Sequence, residues 1–281
     1  MASVGVVFLA VSLVGYRLTS VRYSYSASLL IGVLVLTFIV LPLPAYWQEK
    51  GKRELRDAAL TIPWFLFFKV VLSFIVVVSG RSGMGIGLKD EYFAHMDQSL
   101  GVNVPSMMVW ASQNWLGHLI DRSYSLLTPL LLASFFLPAL TGKVKQARFF
   151  ITANLMAFTI GMPLFALFPA VGPWYGYHLA ATSSQATCQQ DLFSLRAHGL
   201  YTFHSLGVVC FPSFHVIWAI FAVILLWYLK ILRIPLVILS GMIILSTMTG
   251  GWHYFVDVLA GILVAGISIA TSRTLDRWYS Q

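Results

Sequence analysis

Long apolar runs, broken by short turns rich in Lys and Arg, restrict what this chain can fold into. A helix needs about 20 apolar residues to cross the hydrocarbon of a bilayer. Eight such segments are read, at approximately 3–18, 26–47, 58–79, 119–140, 149–170, 211–229, 236–252 and 254–272. The first and the last two are short or weakly bounded, so six spans are the minimum. Only 10% of the 281 residues are charged and 58% are hydrophobic, with a mean hydropathy of +0.81. A soluble domain is nearer a quarter charged, and a soluble fold of this size needs more polar surface than this chain supplies. Its 20 Phe, 12 Tyr and nine Trp suit a lipid-facing protein with interfacial aromatic belts. The expected architecture is an all-α, polytopic transmembrane bundle of six to eight spans. With no internal repeat, linker or low-complexity tract, residues 1–281 are read as a single domain.

The formal charge of +8 reflects topology rather than nucleic-acid binding, because no basic run resembles a binding arm. With eight spans, Lys50, Lys52, Arg53, Arg56, Lys143, Lys145, Arg148, Lys230, Arg233, Arg273 and Arg277 share one side. The other side holds Arg17, Arg22, Arg81, Lys89, Arg122 and Arg196. The richer side is expected to be cytoplasmic, with both termini inside. The compact loops favour a bacterial inner membrane and a periplasmic active site, or a luminal one in a eukaryote. Met1–Tyr16 is apolar but lacks a basic start and a clean small-residue cleavage site, so no cleavable signal peptide is expected.

Two long polar segments fall on the outer side. Segment 80–118 includes an amphipathic stretch around Met107–Trp115 and is expected to lie on the membrane as short helices. Segment 171–210 carries Cys188 and Cys210, together with His178, His198 and His204. In an oxidising compartment the two cysteines are placed either to form a disulfide or to remain as thiols.

Two short motifs carry the chemistry. Phe211-Pro212-Ser213-Phe214-His215 opens the sixth span, and Gly250-Gly251-Trp252-His253-Tyr254-Phe255-Val256-Asp257 opens the eighth. Both fall at the outer face in a topology derived from Lys and Arg alone. His253 and Asp257, four apart, share a helical face. A carboxylate there accepts the imidazole Nδ1–H, fixes the tautomer and leaves Nε2 as a nucleophile. Ionisable groups within a membrane are costly and usually functional, which weighs against a merely satisfied histidine. Pro212 suits a first helical turn, and the free N–H groups beside Ser213 attract an anion such as phosphate within reach of His215. One span down, a tight turn at Lys230–Pro235 and one span back bring the histidines to one level.

These residues resemble the phosphatidic acid phosphatase type 2 superfamily, with its Pro-Ser-Gly-His and Ser-Arg-x5-His-x3-Asp elements. Pro212, Ser213 and His215 match the first, with Phe214 in place of glycine. Ser246, His253 and Asp257 match the second, with Thr247 in place of arginine, and the family's earlier Lys-x6-Arg-Pro element has no counterpart. The departures are similar to inositol phosphorylceramide synthases and related sphingolipid head-group transferases. That branch carries a Pro-Pro-Trp-Tyr-like segment where this chain has Phe168-Pro169-Ala170-Val171-Gly172-Pro173-Trp174-Tyr175. The resemblance covers roughly the second half of the chain. It implies a lipid phosphotransferase, or a phosphatase if water is the acceptor. His253 is then the nucleophile and Asp257 its support, with His215 as acid and then base. Ser213 holds phosphoryl oxygens, and Trp174 and Tyr175 border the substrate. No cofactor and no metal are implied. The partners are the bilayer and a lipid with a phosphate or phosphodiester head group.

Transition-state charge calls for cations. Lys69, mid-span, and Arg122, beside Asp121 at the start of a span, are the leading candidates, followed by Lys89 and Arg196. Two other classes compete. A transporter would show paired broken helices in two related halves, which this chain does not. A haloperoxidase-like vanadate site belongs to soluble proteins, unlike this apolar chain.

Overall fold

The structure is a computed structural model and describes residue 72 and residues 75–197 and 207–278. Among these, every regular element is helical. After a helical stretch at 75–82 come α1 (Asp90–Ser99), α2 (Val104–Gln113), α3 (Trp115–Ser123) and, through the 3-10 turn Tyr124–Leu126, α4 (Leu127–Leu140). These are followed by α5 (Val144–Leu167), the single turn α6 (Pro173–Gly176) and α7 (Ser183–Arg196). The chain continues with α8 (Phe214–Leu225), the 3-10 turn Lys230–Leu232, α9 (Arg233–Thr249) and α10 (Phe255–Trp278).

Among the described residues, four helical stretches are long and apolar enough to cross a membrane: Trp115–Leu140, Val144–Leu167, Lys230–Thr249 and Phe255–Leu275. They match the expected spans at 119–140, 149–170, 236–252 and 254–272 within a few residues. The expected span at 211–229 is shorter, its helix covering only Phe214–Leu225. It packs against α4, α5, α9 and α10, and much of it is buried among them. The expected spans at 3–18 and 26–47, and most of that at 58–79, lie outside the described residues, and the count of six to eight rests on them.

Local sequence accounts for the helix boundaries. The Asn103 side chain accepts from Ser106 N at 2.9 Å, with Pro105 in the first turn of α2. Thr182 and Gln185 form a capping box at the start of α7. Gly142, at φ 74°, closes the turn between α4 and α5, where Lys143 N reaches Pro138 O at 2.8 Å. The polar segment 80–118, expected to form short helices, contains α1, α2 and the start of α3. In the segment at 171–210, the capped helix α7 covers Ser183–Arg196.

The core is aromatic against small. Phe135, Phe150, Phe165 and Phe221 are buried with Ala139, Ala147, Ala153 and Ala157, which let helices approach closely in an apolar medium. Trp218 Nε1 on α8 donates to Asn154 Oδ1 on α5 at 2.9 Å, a polar tie between two apolar helices. At one end of the bundle, Lys143 lies 6.0 Å from the Tyr228 ring and Arg233 lies 4.9 Å from the Trp227 ring. The opposite end carries both motifs together with α1, α6 and α7.

Close packing of α10 on the start of α8 generates a prediction. A Cβ at Gly261 would lie 2.7 Å from Ser213 O and 3.0 Å from Val216 Cβ. Gly261→Ala is expected to push the two helix starts apart at a cost of about 1–3 kcal/mol. The melting temperature in detergent should fall, and activity should fall with it. An unchanged melting temperature would show that this approach is not tight.

Candidate functional site

The site is assembled where α8 and α10 begin side by side. The Ser213 side chain caps α8 by accepting from Val216 N at 3.4 Å. Its backbone N–H donates to Asp257 O at 3.1 Å, which pins the start of α8 to the first turn of α10. Between α9 and α10 the chain curls back on itself. Trp252 N and His253 N both donate to Thr247 O, at 2.8 and 2.9 Å. Gly251 sits at φ 70°, where a Cβ would also strike Met108, so this turn needs glycine. Thr247 stands where the family pattern has arginine, and here its carbonyl holds the turn that carries His253.

The curl sets His253 against both partners expected from the sequence. His253 Nδ1 faces Asp257 Oδ2 at 3.4 Å, and His253 Nε2 faces His215 Nδ1 at 3.4 Å across 38 residues of sequence. Both contacts are long, as is common where catalytic hydrogen bonds tighten only around substrate. Asp257 Oδ2 also accepts from Tyr254 N at 2.8 Å and from the Cys210 thiol at 3.1 Å. His253, at 3% exposure, is almost sealed from solvent, and burial lowers its pKa to about 4. Its imidazole is therefore neutral at pH 7, with Nε2 available. Burial, reinforced by Asp257, pushes the Cys210 thiol up, keeping it an S–H donor.

Cys188 and Cys210 are not joined by a disulfide. Of the two states open in the sequence, thiols are found, and the Cys210 sulfur is turned inward to Asp257. Cys210, His253 and Asp257 each place a donor atom within 4.8 Å of the others, close enough to share a metal ion. Asp257 Oδ2 lies within hydrogen-bond reach of both neighbours, at 3.1 Å from the Cys210 sulfur and 3.4 Å from His253 Nδ1.

An aromatic wall closes the other side. Tyr124 stacks on His215, with centroids 4.4 Å apart, and on Trp252 at 5.4 Å. Trp174 meets Trp252 edge-on at 5.8 Å, and its Nε1 donates to Gln189 Oε1 on α7 at 3.2 Å. Gln185, also on α7, donates to Gly250 O at 3.1 Å. The polar helix α7 thus grips the glycine turn that carries His253.

Two carboxylates on α1 complete the arrangement, and the sequence reading assigned them no chemistry. Asp90 accepts from Val171 N and Gly172 N, both at 2.9 Å, and its Oδ1 lies 3.0 Å from the Tyr254 hydroxyl. Asp97 accepts from Phe255 N at 2.8 Å and from Val256 N at 3.0 Å. A signal for them existed. Asp90, Phe93, Ala94 and Asp97 fall at i, i+3, i+4 and i+7, which puts two acids on the buried stripe of a short helix. Tyr124 and Cys210 carried no comparable signal.

Of the residues singled out in the sequence, His215, His253, Asp257 and Ser213 come together, and Trp174 joins them through Trp252. Tyr175 is 38% exposed and meets Phe193 edge-on, facing α7 rather than the histidines. Arg122 is exposed near the end of α3, two residues before Tyr124. The Arg196 guanidinium donates to Ile86 O, and the backbone N–H of Lys89 donates to Pro169 O. Lys69, His198 and His204 lie outside the described residues.

Comparison with known proteins agrees with the geometry. A sequence model of the PAP2 superfamily matches residues 91–271, a stretch that contains every residue of the arrangement except Asp90. Comparisons with curated proteins and with solved structures returned no match. With the match spanning more than half of its length and both histidine motifs, the chain belongs to the PAP2 superfamily.

Proposed function

We propose that this protein is a lipid phosphotransferase that moves a phosphoryl or phospho-head-group through His253. Membership of the superfamily supports an integral membrane protein with phosphatase or phosphotransferase chemistry on phosphorylated lipids. The observation that carries the finer reading is the relay from Asp257 through His253 to His215.

The chemistry follows from that order. Asp257 accepts the Nδ1–H of His253, which directs the Nε2 lone pair at phosphorus. Substrate entry parts Nε2 from His215 Nδ1. The new P–N bond forms as the P–O bond to the leaving group breaks, and His215 gives its proton to the departing alkoxide. A second alcohol then attacks phosphorus and loses its proton to His215, and the P–N bond breaks to restore His253. The N–H groups at the start of α8, with Ser213, are the proposed partners of the phosphoryl oxygens. Lys69 and Arg122 are the proposed cations, Trp174 lines the head-group side, and Tyr175 stands at its outer rim. The proposed location of the site is the non-cytoplasmic face, on the strength of the Lys and Arg distribution.

Transfer is favoured over hydrolysis because Tyr124, Trp252 and Trp174 wall the histidines with aromatic surface and His253 is almost sealed. Excluding water favours a lipid alcohol as acceptor. Purified protein in detergent, given a panel of lipid phosphates and phosphodiesters with and without lipid alcohols, tests this. A new phospholipid without free phosphate is expected. Phosphate release at the same rate with or without acceptor would make the enzyme a phosphatase.

The two histidines should separate kinetically. His253→Ala is expected to abolish turnover of every substrate. His215→Ala should lose about 10²–10⁴-fold on natural lipids and recover much of it on a nitrophenyl ester, whose leaving group needs no proton. Single-turnover rates on both substrates measure this. Full activity in His253→Ala would remove the nucleophile from the scheme.

The neutral state of His253 has a stability signature. Its folded pKa of about 4 lies below the ordinary 6.5, so as pH falls through that window the unfolded chain takes up the proton first and stability drops. The melting-temperature difference between wild type and His253→Gln should therefore shift against wild type as pH falls from about 6.5 to about 4. A difference independent of pH would mean that folding leaves the pKa of His253 unshifted.

A further inference from the structure

We propose that α1 is a clamp for the catalytic turn and that Asp97 is a positioning residue, acting on His253 and Asp257 through the first turn of α10. In its effect on catalysis this rests on the role proposed for His253.

The first N–H groups of a helix have no partner within it. At α10 the preceding residue is Tyr254, whose side chain has no carboxylate or amide oxygen to cap them. Asp97, 158 residues away in sequence, supplies the acceptor for both Phe255 N and Val256 N. Charge-assisted bonds of this kind are the stronger class, and an anion at a helix N-terminus gains further from the dipole. Two turns back along the same face of α1, Asp90 faces the Tyr254 hydroxyl at 3.0 Å, which is also 2.9 Å from Gly172 O. Between the two acids, the Phe93 ring lies 5.8 Å from that of Tyr254.

One face of α1 therefore holds the Tyr254 side chain and the two residues after it. Tyr254 follows His253 directly, and its own N–H holds Asp257 Oδ2. If Asp97 lets go, the first turn of α10 is free to shift, and with it both members of the His–Asp pair. Misplacing a reacting group by about 1 Å costs about 10²-fold in rate.

The surroundings of Asp97 give the clamp a pH response. Burial, with a smaller contribution from Asp257, pushes its carboxyl up to about 6 against the pull of the two N–H groups. The titratable groups facing it are Asp257 on α10, Tyr177 after α6 and Cys210 before α8. The folded pKa lies above the ordinary 3.8, so the contribution of Asp97 to stability is full below about 3.8 and is lost as pH rises through about 6. The charge that clamps α10 is thus held at some cost to the fold.

The test uses the full chain in detergent, as wild type, Asp97→Asn and Asp97→Ala. Wild-type kcat should rise with pH through about 6. Asp97→Asn keeps one acceptor oxygen and cannot titrate. Its kcat should fall by about 10-fold, and the rise near pH 6 should disappear. Asp97→Ala should lose about 10²-fold in kcat, with KM unchanged within about twofold. Deuterium exchange in peptides covering Phe255 and Val256 should accelerate in Asp97→Ala, while melting temperatures above pH 6 stay close to wild type. Unchanged kcat in Asp97→Ala, or a persistent pH 6 rise in Asp97→Asn, would overturn the proposal. So would melting temperatures of both variants falling in step with activity, which would make the residue merely structural. If wild type neither hydrolyses nor transfers any lipid phosphate ester, the functional reading fails, and the exchange measurement alone then decides the clamp.

Discussion

Everything at the site depends on two helix starts being held against each other. Ser213 donates its backbone N–H to Asp257 O, and Gly261 leaves room for the Ser213 carbonyl. Because α8 and α10 begin at the same level, His215 in the first turn of one lies opposite the turn that enters the other. Neither histidine is positioned by its own neighbours alone. His253 depends on the glycine turn after α9, and that turn depends on Gln185 and Thr247. The orientation of a single imidazole therefore draws on α1, α7, α8, α9 and α10.

Such a site is polar matter placed at the end of an apolar bundle, where an unpaired hydrogen-bonding group is expensive. The chain meets this by using each carboxylate on several donors. Asp257 Oδ2 serves Tyr254 N, the Cys210 thiol and His253, while Asp90 and Asp97 each serve two backbone N–H groups. A shared network of this kind is stiff when all its members are present and vulnerable when one is lost. That stiffness suits a reaction whose stabilisation comes from preorganised groups rather than from a mobile lid.

The bundle was legible in the sequence because a membrane helix is a local property. Length and apolar content alone placed α4, α5, α9 and α10 within a few residues. The same rule drew 211–229 too long, its helix covering Phe214–Leu225. His215, His253, Asp257 and Ser213 were legible as short motifs at two helix starts, though His253 stands in the turn before α10 and meets Asp257 through that turn rather than through helical spacing. The partners that came from elsewhere were not. Tyr124 and Cys210 act through contacts across the fold, and Cys210 was open to a bridge with Cys188 until its sulfur was seen turned to Asp257. Asp97 was visible only as an acid on the buried stripe of α1, with no hint of what it would bind.

What the sequence by itself determined is the medium and the chemistry. Too few charges for a water-exposed surface require a bilayer, and a histidine four residues before an aspartate on a helix start gives an oriented base. Tertiary structure decided which groups surround that pair: a thiol on the aspartate, an aromatic wall, and two distant carboxylates at the helix entrance. The physical reason is range. Helical periodicity links residues a few positions apart, whereas hydrogen bonds and stacking between elements link residues from 47 to 164 positions apart, and only packing selects which of them meet.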